Sequence, residues 1–326
     1  MLELPFPYAA ASARYFATAG VDALQRLGAD TLAFGSESAD KTALMAAAAR
    51  TTESDFIKKC ANGAKNMGDA AIYFEALGEE RVPPNDILAV EYIRAIRLSG
   101  DRMGIHPVLR VGAGYHDENA EASYPSATSL RQKLSRGEDI TENLPAQVRA
   151  CWARALQTFG IADTARLGAP MLAQLRTLAA KSPLTGAKNS DLADCGGGLL
   201  ERLIGAANLA TDYESLCRGA ATKKHTDGRI RRALLYLLTG VTYRDLEAPP
   251  AYLRLLGANG RGRAFLSATR KTREIPVVTK PADIVALGET AVRQHTLAAV
   301  ADGLYALCAD VPITPAALSV IPPKML

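Results

Sequence analysis

The first 135 residues alternate short apolar runs with stretches whose apolar side chains recur at helical spacing. Residues 2–6 form an extended run that proline interrupts, residues 12–27 have a helical pattern that Gly28 ends, and residues 31–34 read as a buried strand. Strand, helix and strand in this order indicate a βαβ unit. The loop at 35–38 would then lie at the carboxyl end of a strand, where open parallel sheets bind their ligands.

The pattern changes near residue 135, where the strand-like runs stop. Before it, we predict helices at 40–50, 54–62, 67–77 and 86–98 and a further helix that begins at Ser126. We also predict one strand there, at 108–111. After it, we predict helices at 146–158, 169–180, 197–209, 229–239 and 285–308, with one short strand at 277–279. The chain is therefore expected to comprise an α/β domain at 1–140 and an α-helical domain at 141–326.

Composition excludes several classes of protein. No apolar run in the 326 residues approaches the roughly 18 residues that a membrane-spanning helix needs, so we expect a soluble globular protein with no membrane partner. The first residues lack a basic leader with an apolar core, which favours the cytoplasm. The five cysteines are widely separated and form no Cys-x-x-Cys pair, so we expect reduced thiols and neither a disulfide framework nor a zinc site.

The charge distribution is more informative than the net charge of +4. Residues 221–280 hold 13 Lys and Arg against 4 Asp and Glu, whereas the rest of the chain has 25 basic and 30 acidic residues. A basic segment on an otherwise mildly acidic protein is typical of a surface that meets phosphates. A solvated helical face with scattered arginines would give the same count.

Seven stretches, spread over nearly the whole chain, carry a resemblance to a known family. They are LELPFPYA at 2–9, LAFGSE at 32–37, PNDIL at 84–88, RVGAGYHD at 110–117, SATSLR at 126–131, TKKHTDGRIRR at 222–232 and YLRLLGANGRGR at 252–263. In this order they resemble the bacterial tRNA(Met) cytidine acetate ligase family.

The resemblance implies an incomplete Rossmann-like nucleotidyltransferase domain followed by an α-helical domain that faces RNA. It also implies an enzyme that uses ATP to activate acetate as acetyl-adenylate and then acetylates the wobble cytidine of elongator tRNA(Met). Mg²⁺ is implied by the use of ATP, although no pair of carboxylates in the sequence identifies its position. Two alternatives stay open: a tRNA-binding remnant of the family without catalysis, and another nucleotidyltransferase that makes a cofactor adenylate.

One family motif does not occur in these 326 residues. Family members begin with a strand and loop of the form G-x-N-P-F-H-x-G-H, which holds the ATP phosphates. We therefore expect the sequence to begin at the third strand of the family's domain, either because its start is placed too late or because the chain is a degenerate relative. In both cases the polypeptide as given is expected to be a poor catalyst.

Ser126, Thr128 and Arg131 are predicted to bind phosphate. Their hydroxyls and first-turn amides lie at the start of a helix, and Arg131 lies one turn further in, which suits a polyphosphate. An ordinary serine cap with a surface arginine is the alternative.

Asn85, Gly35 and Arg110 complete the predicted ATP-binding set. The resemblance assigns an ATP contact to Asn85, whose other role would be to cap the following helix. Gly35 would let a nucleotide approach the backbone, or would simply form a turn. Arg110 follows a strand at the same sheet edge, where it would meet a nucleotide or form a salt bridge with Glu91 or Asp117.

The predicted RNA-binding surface is the basic segment. Its residues are Lys223, Lys224, Arg229, Arg231, Arg232, Arg254, Arg261 and Arg263. Beyond Tyr236 and Tyr243, aromatic stacking is not evident in the segment, so we expect it to read RNA shape and backbone and not to form base-stacking platforms. His116 and Asp117 lack partners at metal-ligand spacing, and no metal site or catalytic residue is assigned.

Overall fold

The computed structural model describes residues 1–52, 82–111, 125–185, 191–316 and 324–325. The α-helices of these residues are α1 (Phe6–Ala9), α2 (Ala13–Leu27), α3 (Lys41–Thr51), α4 (Pro84–Leu98), α5 (Ala127–Ser135), α6 (Ala146–Phe159), α7 (Gly168–Thr185), α8 (Leu199–Ala207), α9 (Tyr213–Ala220), α10 (Asp227–Thr239), α11 (Tyr243–Glu247), α12 (Gly260–Ala268) and α13 (Glu289–Cys308). Short 3₁₀ helices occupy Thr141–Asn143, Thr164–Leu167, Thr269–Lys271 and Pro281–Leu287.

The strands form three small sheets. They are β1 (Leu2–Glu3), β2 (Thr31–Ser36), β3 (Gly104–Leu109), β4 (Leu253–Leu255), β5 (Gly257–Ala258), β6 (Val277–Val278) and β7 (Lys324–Met325). The sheet orders are β2-β3, β1-β4-β6 and β5-β7. The described fold is thus mixed α/β and mostly helical.

The parallel pair β2–β3 is the frame of the predicted nucleotide edge. Its register joins Thr31 to Gly104 and Ser36 to Leu109. Phe34 of β2 packs on α3 and α4 in a cluster that includes Leu44, Val90 and Ile93. The opposite face of the pair, at Ala33 and Val108, is exposed.

Local sequence signals explain where the helices around this sheet begin and end. Gly28 ends α2 in the left-handed conformation, at a φ of 95°, which glycine adopts without a steric penalty. Asp40 caps α3 by accepting a hydrogen bond from the amide of Ala43 at 3.0 Å. Pro84 stands at the start of α4, where its missing N–H costs nothing.

A helical core fills much of the second half of the chain. Helices α7 to α10 meet around side chains that are almost fully buried, among them Leu175, Leu203, Leu216 and Leu234. Two capping boxes, at Asp212 and Thr242, satisfy the first amides of α9 and α11. None of the described helices is both long and apolar enough to cross a membrane.

Two expectations for the strands are wrong. The N-terminal strand β1 does not join the parallel pair of a βαβ unit; it pairs antiparallel with β4, so that Leu2 lies opposite Leu255. The chain also returns to strands well after residue 135, at β4 and β5 as well as at the expected β6. These strands have only two or three residues, too few to show a period in the sequence.

The other predicted elements agree with the structure to within a few residues where it describes them. The exceptions are the strand predicted at 108–111, which instead spans Gly104–Leu109, and helices α1, α9, α11 and α12, which the pattern did not reveal. The helices predicted at 54–62 and 67–77 lie outside the described residues.

Candidate nucleotide site and basic surface

Gly35 and Arg110 meet at the carboxyl edge of the parallel pair. The amide of Arg110 donates to the carbonyl of Ser36 at 2.9 Å, which extends the pairing of the two strands by one residue. A Cβ atom on Gly35 would lie 3.4 Å from Cγ of Arg110. Both residues are exposed, so the glycine keeps the backbone open beside the arginine side chain.

A pair of carboxylates locks the loop after β2 to the start of α4. The Asp86 carboxylate is 4% exposed. It accepts hydrogen bonds from the Ser36 hydroxyl, from the Glu37 amide at 2.9 Å and from the Ser38 amide at 3.2 Å. In return, the Glu37 carboxylate accepts from the side-chain amide of Asn85 and from the backbone amide of Asp86 at 3.1 Å.

This exchange defines what the edge can bind. The start of a helix favours an anion, and at α4 the Glu37 carboxylate already occupies that position. The amides of Glu37 and Ser38 are used by Asp86. The edge therefore suits the uncharged part of a nucleotide better than a phosphate chain, and Asn85 has an internal partner in Glu37.

Sequence reasoning missed Glu37 and Asp86 as partners. Glu37 is close to Gly35 in the sequence and Asp86 follows Asn85. Nothing in the sequence shows that these two acids, 49 positions apart, each accept hydrogen bonds from the other's segment. Acidic residues directly after a strand and in the first turn of a helix are the only available signals.

Helix α5 begins at the residues that were predicted to bind phosphate. The buried Ser126 hydroxyl accepts from the amide of Ser129 at 3.1 Å, so Ser126 caps the helix as one of its two predicted roles requires. Thr128 is half-buried and Arg131 is exposed. That Ser126, Thr128 and Arg131 converge on the edge at Gly35 stays a prediction.

Glu91 forms an ion pair within α4. Its carboxylate lies 3.5 Å from the Arg94 guanidinium. Burial raises the pKa of Glu91, and the positive charges of Arg94 and Arg14 oppose that shift. Asp117, the other acid considered for Arg110, lies outside the described residues, as do His116 and the Gly112 to Gly114 segment.

Three cations of the predicted RNA-binding surface hold a turn of the chain. The guanidinium of Arg229 donates to the carbonyls of Asp194 and Gly196, and Nζ of Lys224 donates to the carbonyl of Gly197 at 2.9 Å. Nε of Arg232 donates to the Asp194 carboxylate at 2.7 Å. These side chains therefore have a structural role in addition to any contact with RNA.

Arg231 is also engaged within the chain. Nε donates to the Asp227 carboxylate at 2.7 Å, a second ion pair reaches Glu214 at 3.3 Å, and the guanidinium lies 5.1 Å from the centre of the Tyr213 ring. Burial lowers the pKa of Arg231, but the hydrogen bonds to Asp227 and Glu214 outweigh that effect and raise it above the usual value. Replacing Arg229, Arg231 and Arg232 would therefore remove contacts within the fold as well as positive charge.

The remaining predicted cations differ in exposure. Arg254 is half-buried and forms an ion pair with Glu3 at 3.6 Å. Lys223, Arg261 and Arg263 are exposed. Tyr236, one of the two aromatic residues noted in the segment, is fully buried and cannot reach a ligand.

Metal ligands and thiols add no further site to the described part of the chain. The described residues include no group of three His, Cys, Asp or Glu side chains that could hold a metal ion. Cys151, Cys195, Cys217 and Cys308 are free thiols, and burial raises the pKa of Cys195 to about 12. A thiol with such a pKa is a packing residue and not a nucleophile.

Comparisons with known proteins agree over most of the chain. The model of the HIGH nucleotidyl transferase family matches residues 1–315. The tRNA(Met) cytidine acetate ligase of Syntrophotalea carbinolica is 35% identical over an alignment of 296 residues, with 86% of this chain and 69% of the relative covered. The corresponding ligase of Acetivibrio thermocellus is 28% identical over 331 residues, with 94% and 79% of the two chains covered.

Solved structures show the same fold. The apo structure of Thermotoga maritima TmcAL has a TM-score of 0.85 at 24% identity and covers 100% of this chain and 84% of that one. A second structure, of the same protein bound with alpha-thio ATP, has a TM-score of 0.81 at 24% identity, with 99% and 83% of the two chains covered. The chain thus shares its whole described architecture with these proteins.

Proposed function

This chain belongs to the tRNA(Met) cytidine acetate ligase family of HIGH nucleotidyl transferases, and from that premise we propose that it uses ATP and acetate to acetylate a cytidine of tRNA(Met). The observation that carries the proposal is the 35% identity to the Syntrophotalea carbinolica ligase over 86% of the chain. The ligase family predicted from the sequence is confirmed. Acetyl-adenylate as intermediate and the wobble position as target are part of the proposal.

The finer architecture is proposed on the same premise. We propose that residues 1–140 form a Rossmann-like nucleotidyltransferase domain and residues 141–326 a helical domain that faces RNA. The parallel pair β2–β3 with α2, α3 and α4 packed on it supports the first part. The helical core of α7 to α10 supports the second.

The residues at the sheet edge fit a nucleotide in a particular way. Gly35 and Arg110 are exposed beside each other, whereas Glu37 and Asp86 already occupy the helix start and the loop amides. We therefore place the nucleoside end of ATP at Gly35, Asn85 and Arg110. The phosphates would be held at the other helix start by Ser126, Thr128 and Arg131.

The chemistry requires positive charge and oriented N–H donors. When an acetate carboxylate attacks the α-phosphorus of ATP, negative charge builds up on the phosphoryl oxygens and on the departing pyrophosphate. Arg131 and the first-turn amides of α5 would stabilise that charge. Mg²⁺ would enter with the ATP phosphates, since the described residues provide no metal cluster of their own.

The basic surface is proposed to bind tRNA through its phosphates. Exposed Lys223, Arg261 and Arg263 are available for such contacts. Lys224, Arg229, Arg231, Arg232 and Arg254 would contribute positive potential while they hold the chain around them.

Binding experiments test the proposal separately from turnover. Equilibrium dialysis with labelled ATP and filter binding with a tRNA(Met) transcript should both show saturable binding. Arg131→Ala should weaken ATP binding about tenfold, as the loss of roughly 1.4 kcal/mol of charge stabilisation predicts. Arg136→Ala is the matched control, because Arg136 follows the last turn of the same helix and, among the described residues, forms its ion pair with exposed Glu138 at 3.8 Å.

Two outcomes would contradict the proposal. If the wild-type chain binds neither ATP nor tRNA(Met), the proposed function is wrong. If it binds ATP and the two arginine variants lose affinity equally, the phosphate site is not at the start of α5.

A further inference from the structure

Helix α12 exposes an aromatic side chain beside its cations. None of its residues is buried, and Phe265 keeps 39% of its surface exposed. The next residue, Leu266, faces inward against a cluster with Leu27, Leu253 and Ile275. The helix is therefore anchored through Leu266, while the Phe265 ring belongs to none of the hydrophobic clusters of the described residues.

The segment around Phe265 carries basic residues and no acidic ones. Residues 259–273 contain five Arg and Lys and no Asp or Glu. Arg261 precedes Phe265 by four residues and so shares its side of the helix, and Arg263 lies on the other side. Arg261, Arg263, Arg270 and Lys271 are all exposed, and no acidic partner within the described residues neutralises them.

This segment is fixed at both ends. The Asn259 side chain accepts from the amide of Gly262 at 2.9 Å and caps α12. At the other end, the Glu274 amide donates to the carbonyl of Arg26 at 2.7 Å, and the Arg26 guanidinium donates back to the carbonyl of Glu274 at 3.1 Å. An aromatic ring on so well anchored a helix loses little conformational freedom when it binds a flat partner.

We propose that Phe265 stacks on an unpaired base of the bound RNA while the neighbouring cations hold the flanking phosphates. The inference rests on the proposed function, since it names a recognition element within the proposed tRNA surface. Stacking suits this ring because every base has a π-face and because unpaired bases of RNA loops dock on aromatic side chains. From the sequence we expected recognition of RNA shape and backbone, because the sequence does not show which aromatic residue of the basic segment is exposed.

Three variants separate stacking from charge. Phe265→Leu keeps an apolar side chain and the helix but removes the ring, so affinity for tRNA(Met) should fall about five-fold or more with an unchanged salt dependence. Phe265→Tyr should restore the affinity. Arg261→Ala should instead reduce the slope of log Kd against log salt concentration by roughly 0.7 to 0.9.

A spectroscopic variant reports on the ring directly. The chain has one Trp, at position 152, so Phe265→Trp in a Trp152→Phe background places the only indole on α12. Stacking on a base should quench its fluorescence when the tRNA(Met) transcript is added. Val285→Trp in the same background is the matched control, because position 285 is exposed outside the basic segment.

The failures are distinguishable. If the wild-type chain does not bind tRNA(Met), the proposed function fails. If it binds, but Phe265→Leu retains full affinity and the indole at 265 is not quenched, the tRNA surface stands and stacking at Phe265 is wrong. If Phe265→Tyr loses as much affinity as Phe265→Leu, the residue acts through packing and the inference is overturned as well.

Discussion

Replacing Asp86 by alanine should unfold the sheet edge that frames the candidate nucleotide site. The substitution removes the carboxylate that accepts hydrogen bonds from the Ser36 hydroxyl and from the amides of Glu37 and Ser38. Ser36 is fully buried and Asp86 is 4% exposed, so water cannot replace the lost acceptor without opening the loop. The two amides would be left without partners at the end of β2, and the Ser36 hydroxyl would retain only the Ser38 hydroxyl at 3.4 Å.

The magnitude follows from those bonds. A buried donor left without its acceptor costs about 1 to 3 kcal/mol, and hydrogen bonds to charged groups lie in the upper part of that range. Because the two amides are only partly buried, we expect a total loss of about 3 kcal/mol and not the full sum. Asp86→Asn retains one acceptor oxygen and should lose about 1 kcal/mol.

Asp40→Ala is the matched control. Asp40 also accepts a backbone amide at a helix start, but it is exposed and accepts only from Ala43, so its loss should cost about 1 kcal/mol. The free energy of unfolding is measured by urea titration, and ATP affinity by equilibrium dialysis. The reasoning is refuted if Asp86→Ala is no less stable than Asp40→Ala, or if it binds ATP as tightly as the wild type does once both are fully folded.

Further substitutions test the interior contacts. Arg232→Ala leaves the Asp194 carboxylate without its 2.7 Å partner and should lower the free energy of unfolding by about 1 to 2 kcal/mol; an unchanged urea midpoint would show that the ion pair is not structural. Gln294→Leu removes the acceptor of the Ala251 amide and should cost about 1 to 3 kcal/mol, read from the same titration. Burial raises the pKa of Asp245, but hydrogen bonds, chiefly from Arg293, outweigh it and lower the pKa overall. The stabilisation from Asp245 is therefore complete above the ordinary pKa of about 3.9 and is lost as pH falls through the lower folded value, so Asp245→Asn should be destabilised at pH 7 and the difference from the wild type should shrink as the pH is lowered below that ordinary value.

The main helices of the described fold could be predicted from the sequence, because each carries its own apolar stripe and its own end signals. Gly28 and Pro84 mark boundaries through backbone chemistry alone. The pairing of β1 with β4, in which Glu3 lies opposite Arg254, could not be predicted. Strands of two or three residues are too short to show a pattern that identifies their partner. A short strand is specified by its partner and not by its own pattern.

The candidate site shows the same division between local and distant information. Ser126 as a helix cap follows from its own segment, and the structure bears that role out. The partners of Arg229 and Arg232 are atoms of Asp194 and Gly196, more than 30 residues earlier, and a count of charges cannot reveal them. Net charge therefore overestimated how many cations of the basic segment are free for RNA.

Helix α12 and the candidate nucleotide edge lie near opposite ends of strand β2. Thr269, just after α12, lies beside Gly28, where a Cβ atom would be 3.2 Å from its side chain, and β2 begins three residues later at Thr31. The nucleotide edge is at the other end of the strand, at Gly35 and Ser36. Five residue steps of about 3.3 Å separate Thr31 from Ser36, so the two ends of the strand are roughly 17 Å apart. A folded RNA is large enough to lie on α12 and still present one base to the sheet edge, as the proposed transfer of an acetyl group to a cytidine of tRNA(Met) requires.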